Sequence, residues 1–252
     1  MMVRTESELA SMRKAGRVTA EMLAACRSAV RPGVTTADLD RAARDVLTKR
    51  NARSNFLGYH GFPAVICTSR NNVIVHGIPS DEEVLREGDI ISIDAGAIVE
   101  GYHGDAAITV AVGMVPVRVE RLIEVTEASL RAGIAMMVAG NHLHDIGRAV
   151  EEVALSAHLG VIRDYVGHGI GTQMHEPPNV PNYWPGRPGP KLRVNEVYAV
   201  EPMLTLGGED TVVLPDGWGV VTADGTWAAH FEHTIAITEN GPEVFTVLDD
   251  TP

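Results

Sequence analysis

The sequence predicts an α+β fold built as two helix–helix–strand halves, about residues 5–110 and 116–245, related by an internal pseudo-twofold and sharing one central antiparallel sheet in a single domain. Three observations predict it. Two pairs of stretches with helical spacing are each followed by β-branched runs. A shift of 107 residues lays the first helical pair on the second without a gap: Val18 falls on Val125, Thr19 on Thr126, Leu23 on Leu130, Gly33 on Gly140, Asp38 on Asp145, Arg41 on Arg148 and Val46 on Val153. Generic helix composition supplies some of those matches, whereas the repeated Gly-x4-Asp between helices is harder to dismiss. Finally, Gly88–Val110, GDIISIDAGAIVEGYHGDAAITV, reads as a hairpin of two apolar strands around a turn-like IVEG.

In order, Leu9, Met12, Gly16, Thr19, Leu23, Cys26 and Val30 recur at three- and four-residue steps, predicting a helix over 6–30 that Arg31-Pro32-Gly33 ends. Thr36 has the character of an N-cap for a second helix reaching about Lys49. Short β-like runs, Ala64–Cys67 and Val73–Val75, precede HGIPS and the hairpin. Pro116, suited to a first helical turn, opens a long helix to Met137; Gly140 breaks it, and a further helix covers Leu143–His158. Beyond strand-like VIRDYV lies a loop, Gly167–Pro190, then short strands around Val197–Glu201, Val212–Leu214, Gly219–Thr222 and His230–Thr238. A loop of that length is commonly functional or disordered, and its two histidines and tryptophan favour function.

The bulk numbers narrow the function classes. The 252 residues are 45% hydrophobic and 21% charged, an ordinary globular composition. A net charge of −12 opposes nucleic acid or an anionic membrane as main partner and mildly favours a cationic ligand. No run approaches the ~20 apolar residues of a membrane span, and MMVRTESELASMRKAG has no apolar signal region. Cys26 and Cys67 cannot form a disulfide framework, so free thiols in a reducing cytoplasm are expected.

The chemistry lies in acids and histidines set among apolar residues. If Ile98–Gly101 form the hairpin turn, Asp94 sits opposite Asp105, with Cβ atoms about 4.5–5.5 Å apart on one face. Carboxylates that close repel unless a cation or shared proton neutralises them. His76 begins HGIP, His168 and His175 sit in GHGIGTQMH, Glu201 ends VYAVEP, and Glu232 lies in AAHFEHTIAIT. Each histidine alone reads as an ordinary polar loop residue. A glutamate inside a strand run instead needs a cation, a proton or an exposed strand end. Four carboxylates with an imidazole and no thiolate suit Mn, Fe, Co or Zn rather than a structural cysteine site. Two divalent ions ~3.5–4 Å apart would offset the crowding and lower the pKa of a bridging water. Spare histidines beside them suit proton transfer or oxyanion stabilisation.

HGIP, GDIISIDAGAIVEGYHGDAA, GHGIGTQMHEPPNVPNY, EPML and FEHTIAIT, in that order, together resemble the type I methionine aminopeptidases. The resemblance runs from about residue 5 to 245 and implies the pita-bread fold, a pseudo-twofold central antiparallel sheet with two helix pairs packed on one face. It implies removal of the N-terminal methionine from nascent proteins and peptides with a small second residue, by a dinuclear metal-activated hydroxide. The implied metal ligands are Asp94, Asp105, His168, Glu201 and Glu232, with Asp105 and Glu232 bridging both ions. Glu201 would share in proton transfer, His175 would stabilise the oxyanion, and His76 would contact the scissile amide nitrogen or the residue after the cut. The implied methionine pocket is Tyr59, Phe62, Cys67, Met174 and Trp218, with Phe56 at its edge. Relatives also hold a monovalent cation at positions matching Asn71 and Val73. The implied partners are peptide and nascent-protein N-termini, with transient ribosome association and a monomeric chain.

Some positions depart from the commonest pattern of that family. NNVIVHG replaces NEVVCHG, so a pocket-side cysteine becomes Val75; Phe56 stands for a frequent cysteine, Phe62 for a tyrosine and Met174 for an aromatic residue. All but Val75 remain large and apolar, which bears on pocket width rather than on the reaction. Two other readings stand beside this one. An Xaa-Pro aminopeptidase or prolidase uses the same ligand types, but normally carries a sizeable extra N-terminal domain, whereas this chain begins almost directly with the helices. A metal-free binding protein of the same fold is opposed by the intact ligand positions and the negative charge.

Overall fold

The computed structural model describes residues 2–248. Its elements are α1 (Glu6–Ala29), α2 (Thr36–Arg50), β1 (Arg53–Ser54), β2 (Ile66–Arg70), β3 (Val73–Val75), β4 (Ile90–Val99), β5 (Tyr102–Ala111), α3 (Val117–Ala135), α4 (Leu143–Ser156), β6 (Gly160–Val161), β7 (Gly167–Gly169), β8 (Glu176–Val180), β9 (Val197–Val200), β10 (Met203–Thr205), β11 (Thr211–Val213), β12 (Val220–Thr222), β13 (Ala228–His230), β14 (His233–Thr238) and β15 (Gly241–Val244).

The punctuation repeated between the halves starts the second helix of each pair. Gly33 and Gly140 take φ of 90° and 97°, a left-handed backbone that suits glycine. Five residues on, Asp38 and Asp145 accept hydrogen bonds from the backbone N–H of Thr35 and His142, closing a capping box. Each aspartate also pairs with an arginine one turn along, Arg41 and Arg148. The first cap is therefore Thr35, not Thr36, whose hydroxyl donates to the Ser80 carbonyl.

Each helix pair covers one face of its own strands. Met22, Leu23, Cys26 and Leu39 pack on Ile91, Ile93, Ala95 and Ala97 of β4. Leu130, Leu143 and Ile146 pack on Tyr198 and Val200 of β9 and Ile235 and Ile237 of β14. The period of two sends the alternate residues, Asp94 and Gly96 on β4 and Ala199 on β9, to the opposite face. Helix α1 lies against the hairpin at backbone distance: a Cβ on Gly104 would come within 2.7 Å of the Gly16 nitrogen.

The hairpin turn is tighter than expected. Val99 pairs with Tyr102, and the two turn residues, Glu100 and Gly101, have φ of 53° and 84°. Asp94 therefore faces Ala107 and Asp105 faces Gly96, correcting the direct opposition of the two acids. A slip of two residues keeps both acids on one face, now as diagonal neighbours.

The halves join where β5 lies beside residues 230–234. Ala107 and Glu232 exchange backbone hydrogen bonds of 3.2 and 2.9 Å. On either side a threonine hydroxyl takes the place of a ladder partner. That of Thr234 accepts from Asp105 N–H and donates to its carbonyl, and that of Thr109 does the same for His230. His230–Thr238, expected as one strand, breaks into β13 and β14 where Glu232 turns toward Ala107. The Gly167–Pro190 loop likewise contains β7 and β8, which pair with each other. Its Trp184 sits on α4, with the Arg148 guanidinium 5.1 Å above the ring, and has a packing role there. Among the described residues no helix is long and apolar enough to cross a membrane, and both cysteines are buried and free.

Candidate active site

Five elements deliver one donor each to the face turned away from the helices. Asp94 comes from β4, Asp105 from β5, His168 from β7, Glu201 from the residue after β9, and Glu232 from the break between β13 and β14. All five line one cavity of about 200 Å³. Asp105, His168 and Glu232 are buried and offer ligand atoms within 4.8 Å of one another. Glu201 joins them, with Oε1 3.6 Å from His168 Nε2.

Electrostatics make this cluster costly without a cation. Burial pushes the Asp94 carboxyl up to about 7. Burial also lifts Asp105, Glu201 and Glu232 well above the carboxylate range, and the negative charge of Asp94 adds to each. Asp94 Oδ1, Asp105 Oδ1 and Glu232 Oε1 are buried without a hydrogen-bond partner. His168 Nδ1 lies 3.0 Å from the Gly169 carbonyl, which can only accept, so Nδ1 carries the proton and Nε2 keeps its lone pair for the cavity. Burial, reinforced by His175, lowers the His168 pKa to about 3, so the ring is neutral. Unpartnered carboxylate oxygens, a neutral imidazole and no thiolate fit divalent cations, and four carboxylates match the charge of two. Cys67 is the register partner of Asp94, but burial and the neighbouring anions push its thiol pKa far up, leaving it a small apolar wall.

Beside the acids the cavity is apolar. Phe56, Phe62, Ala64, Cys67 and Met174 form a buried cluster, with Trp218 packed against it. The Phe62 ring meets Trp218 edge-on at 5.0 Å. Tyr59 stands at the mouth, 37% exposed, with its Oη 2.9 Å from His175 Nδ1. Val75 is the exception among the pocket expectations: it packs with Ile162, Met203 and Val220 and does not line the cavity.

His76 and His175 both reach the cavity. The His76 backbone is left-handed at φ 61°, a strained conformation for a non-glycine residue, and its ring lies edge-on 5.7 Å from Tyr165. Burial lowers its pKa to about 4. The His175 ring lies 4.3 Å from that of His168. Its loop is tied down by the next residue: Glu176 accepts from the N–H groups of Thr172 and Gln173 and pairs with the buried Arg4.

Three residues near the centre escape a reading of the sequence. Tyr165 and Val166 line the cavity; their only mark is their place directly before GHG. His230 is buried, with an unpartnered Nε2 3.9 Å from Glu201 Oε2. Its signal is the step of two to Glu232. Asn71, expected near a monovalent cation, has its carbonyl accepting from Ala228 N–H.

Residues 10–239 match the profile of metallopeptidase family M24. The chain is 50% identical over 251 residues to a methionine aminopeptidase of Clostridium acetobutylicum, covering 99% of this chain and 100% of the relative. It is 51% identical to methionine aminopeptidase 1 of Mycobacterium tuberculosis, covering 97% and 94%. Among solved structures, methionine aminopeptidase from Rickettsia prowazekii superposes with a TM-score of 0.95 at 40% identity, covering 98% and 100%.

Proposed function

The chain belongs to metallopeptidase family M24, among its methionine aminopeptidases with the pita-bread fold, and we propose that the residues gathered in this cavity carry out its removal of N-terminal methionine. The observation that supports this assignment of roles is the convergence of Asp94, Asp105, His168, Glu201 and Glu232 beside an apolar pocket. Asp105 and Glu232 would span two divalent ions, with Asp94 completing one site and His168 and Glu201 the other. Divalent ions bound there supply Lewis-acid polarisation of the scissile carbonyl and ready a water for attack. Glu201 takes the proton released in the attack. His175 donates a hydrogen bond to the carbonyl oxygen as it gains charge. Phe56, Phe62, Cys67, Met174 and Trp218 hold the methionine side chain, and Tyr59 closes the mouth. His76 approaches the scissile amide, and with Tyr165 it crowds any large second residue.

The metal is drawn from Co, Mn, Fe and Zn by the oxygen and nitrogen donor set. Buried free thiols support a cytoplasmic location, and a substrate still being synthesised supports transient contact with the ribosome. A monovalent cation held by backbone carbonyls near Asn71 and Val73 completes the proposal. High identity to methionine aminopeptidases along the whole chain disfavours the Xaa-Pro alternative. The test is release of methionine from Met-Ala-Ser by chelated protein, restored metal by metal and run beside Met-Trp-Ser and an Xaa-Pro peptide. Metal-dependent cleavage of Met-Ala-Ser alone is expected; preferential cleavage of the Xaa-Pro peptide, or cleavage indifferent to chelation, would overturn the proposal.

A further inference from the structure

We propose that the Tyr59 hydroxyl is a positioning group that holds His175 in the tautomer presenting an Nε2–H donor to the cavity. The inference rests on the reading of His175 as the oxyanion donor. Tyr59 Oη lies 2.9 Å from His175 Nδ1, and the two rings are 5.6 Å apart. Among the described residues Oη makes no other hydrogen bond. A phenol is a good donor, and a neutral imidazole carries one proton on one of its two nitrogens. If Tyr59 donates to Nδ1, the ring proton must sit on Nε2. That nitrogen can then donate to a carbonyl oxygen as its charge grows; in the other tautomer it would present a lone pair and repel it.

The neighbouring histidine gives the contrast. The rings of His168 and His175 are 4.3 Å apart, yet their Nδ1 partners are of opposite kind. A backbone carbonyl faces Nδ1 of His168 and leaves Nε2 as a lone pair, as a metal ligand requires. A hydroxyl, able to donate, faces Nδ1 of His175, and its donation there would leave Nε2 as the donor. Two adjacent imidazoles are thus set to opposite tasks by what touches their far nitrogens. The tyrosine is itself fixed: Gly58 and His60 are left-handed around it, at φ 84° and 46°, and the His60 ring packs edge-on against it at 4.4 Å.

Tyr59→Phe removes the hydroxyl and keeps the ring. In the metal-loaded enzyme it should lower kcat on Met-Ala-Ser about tenfold, the scale of one lost hydrogen bond, while KM stays within about twofold. In a His175→Ala background the same change should leave kcat unaltered. Nitrogen-15 spectra of zinc-loaded protein should show His175 protonated at Nε2, and a mixture of tautomers in Tyr59→Phe. An unchanged kcat, an equal loss in both backgrounds, or an unchanged tautomer signal would overturn the inference. Full turnover in His175→Ala alone would instead remove the oxyanion reading beneath it.

Discussion

A carboxylate buried among apolar strands needs a counter-charge, and that requirement singles out the carboxylates proposed as metal ligands residue by residue. Glu201 within VYAVEPML and Glu232 within AAHFEHTIAIT have no ordinary reason to sit in such runs. The helix-pair shift of 107 also carries Asp94 onto Glu201, so one repeated position supplies an acid from each half. His175 carries the sharpest prediction at this scale. Its replacement by alanine should reduce turnover roughly 10²–10³-fold, the scale for one lost oxyanion donor, with the metal content measured by elemental analysis unchanged. Unaltered turnover would take His175 out of the reaction. Tyr165, at a bend before β7, and His230, in a three-residue strand, were not legible because neither carries the formal negative charge that makes a buried acid demand a counter-charge. Val75 was misplaced for a related reason: the resemblance fixes which residue stands there, while strand alternation fixes where it points.

Helices and strand faces were legible, whereas registers were not. Helical spacing and Gly-x4-Asp located both helix pairs to within a residue or two. The faces of β4 and β5 followed from alternation, but the turn did not, because IVEG allows a four-residue or a two-residue connection, and the chain uses Glu100-Gly101. The break at Phe231-Glu232 depends on a partner more than a hundred residues away, beyond the reach of any local pattern. The contact of α1 with the hairpin gives an element-scale prediction. Gly104→Ala would drive a Cβ into the backbone of Ala15 and Gly16, where no flexible side chain can give way. Denaturant unfolding should show a loss of about 1–3 kcal/mol, the usual range for overpacking. A second prediction concerns the loop that carries His175. Arg4→Ala leaves Glu176 without its buried cation, so amide exchange should quicken across residues 170–176 while α1 and β4 keep their protection.

Two opposed requirements meet in the molecule as a whole: a chain of net charge −12 turns four of its acids inward. In metal-free protein Asp94 keeps its proton to about pH 7, against an ordinary value of 3.8. The folded chain then binds more protons than the unfolded one, so this contribution to stability is full below about 3.8 and lost as pH rises through 7. Divalent ions bind the deprotonated donors, so their stabilisation should grow across the same window. Thermal melts of chelated protein with and without added ion should therefore separate more at pH 8 than at pH 5; an equal gap would contradict the buried-acid reading. The claim on which the rest depends is that paired divalent cations balance this cluster through Asp105 and Glu232. Calorimetric titration of chelated protein with manganese tests it most directly. Two ions per chain are predicted for the unaltered protein and neither bound tightly by Asp105→Ala, whereas two ions held equally well by that variant would contradict the account.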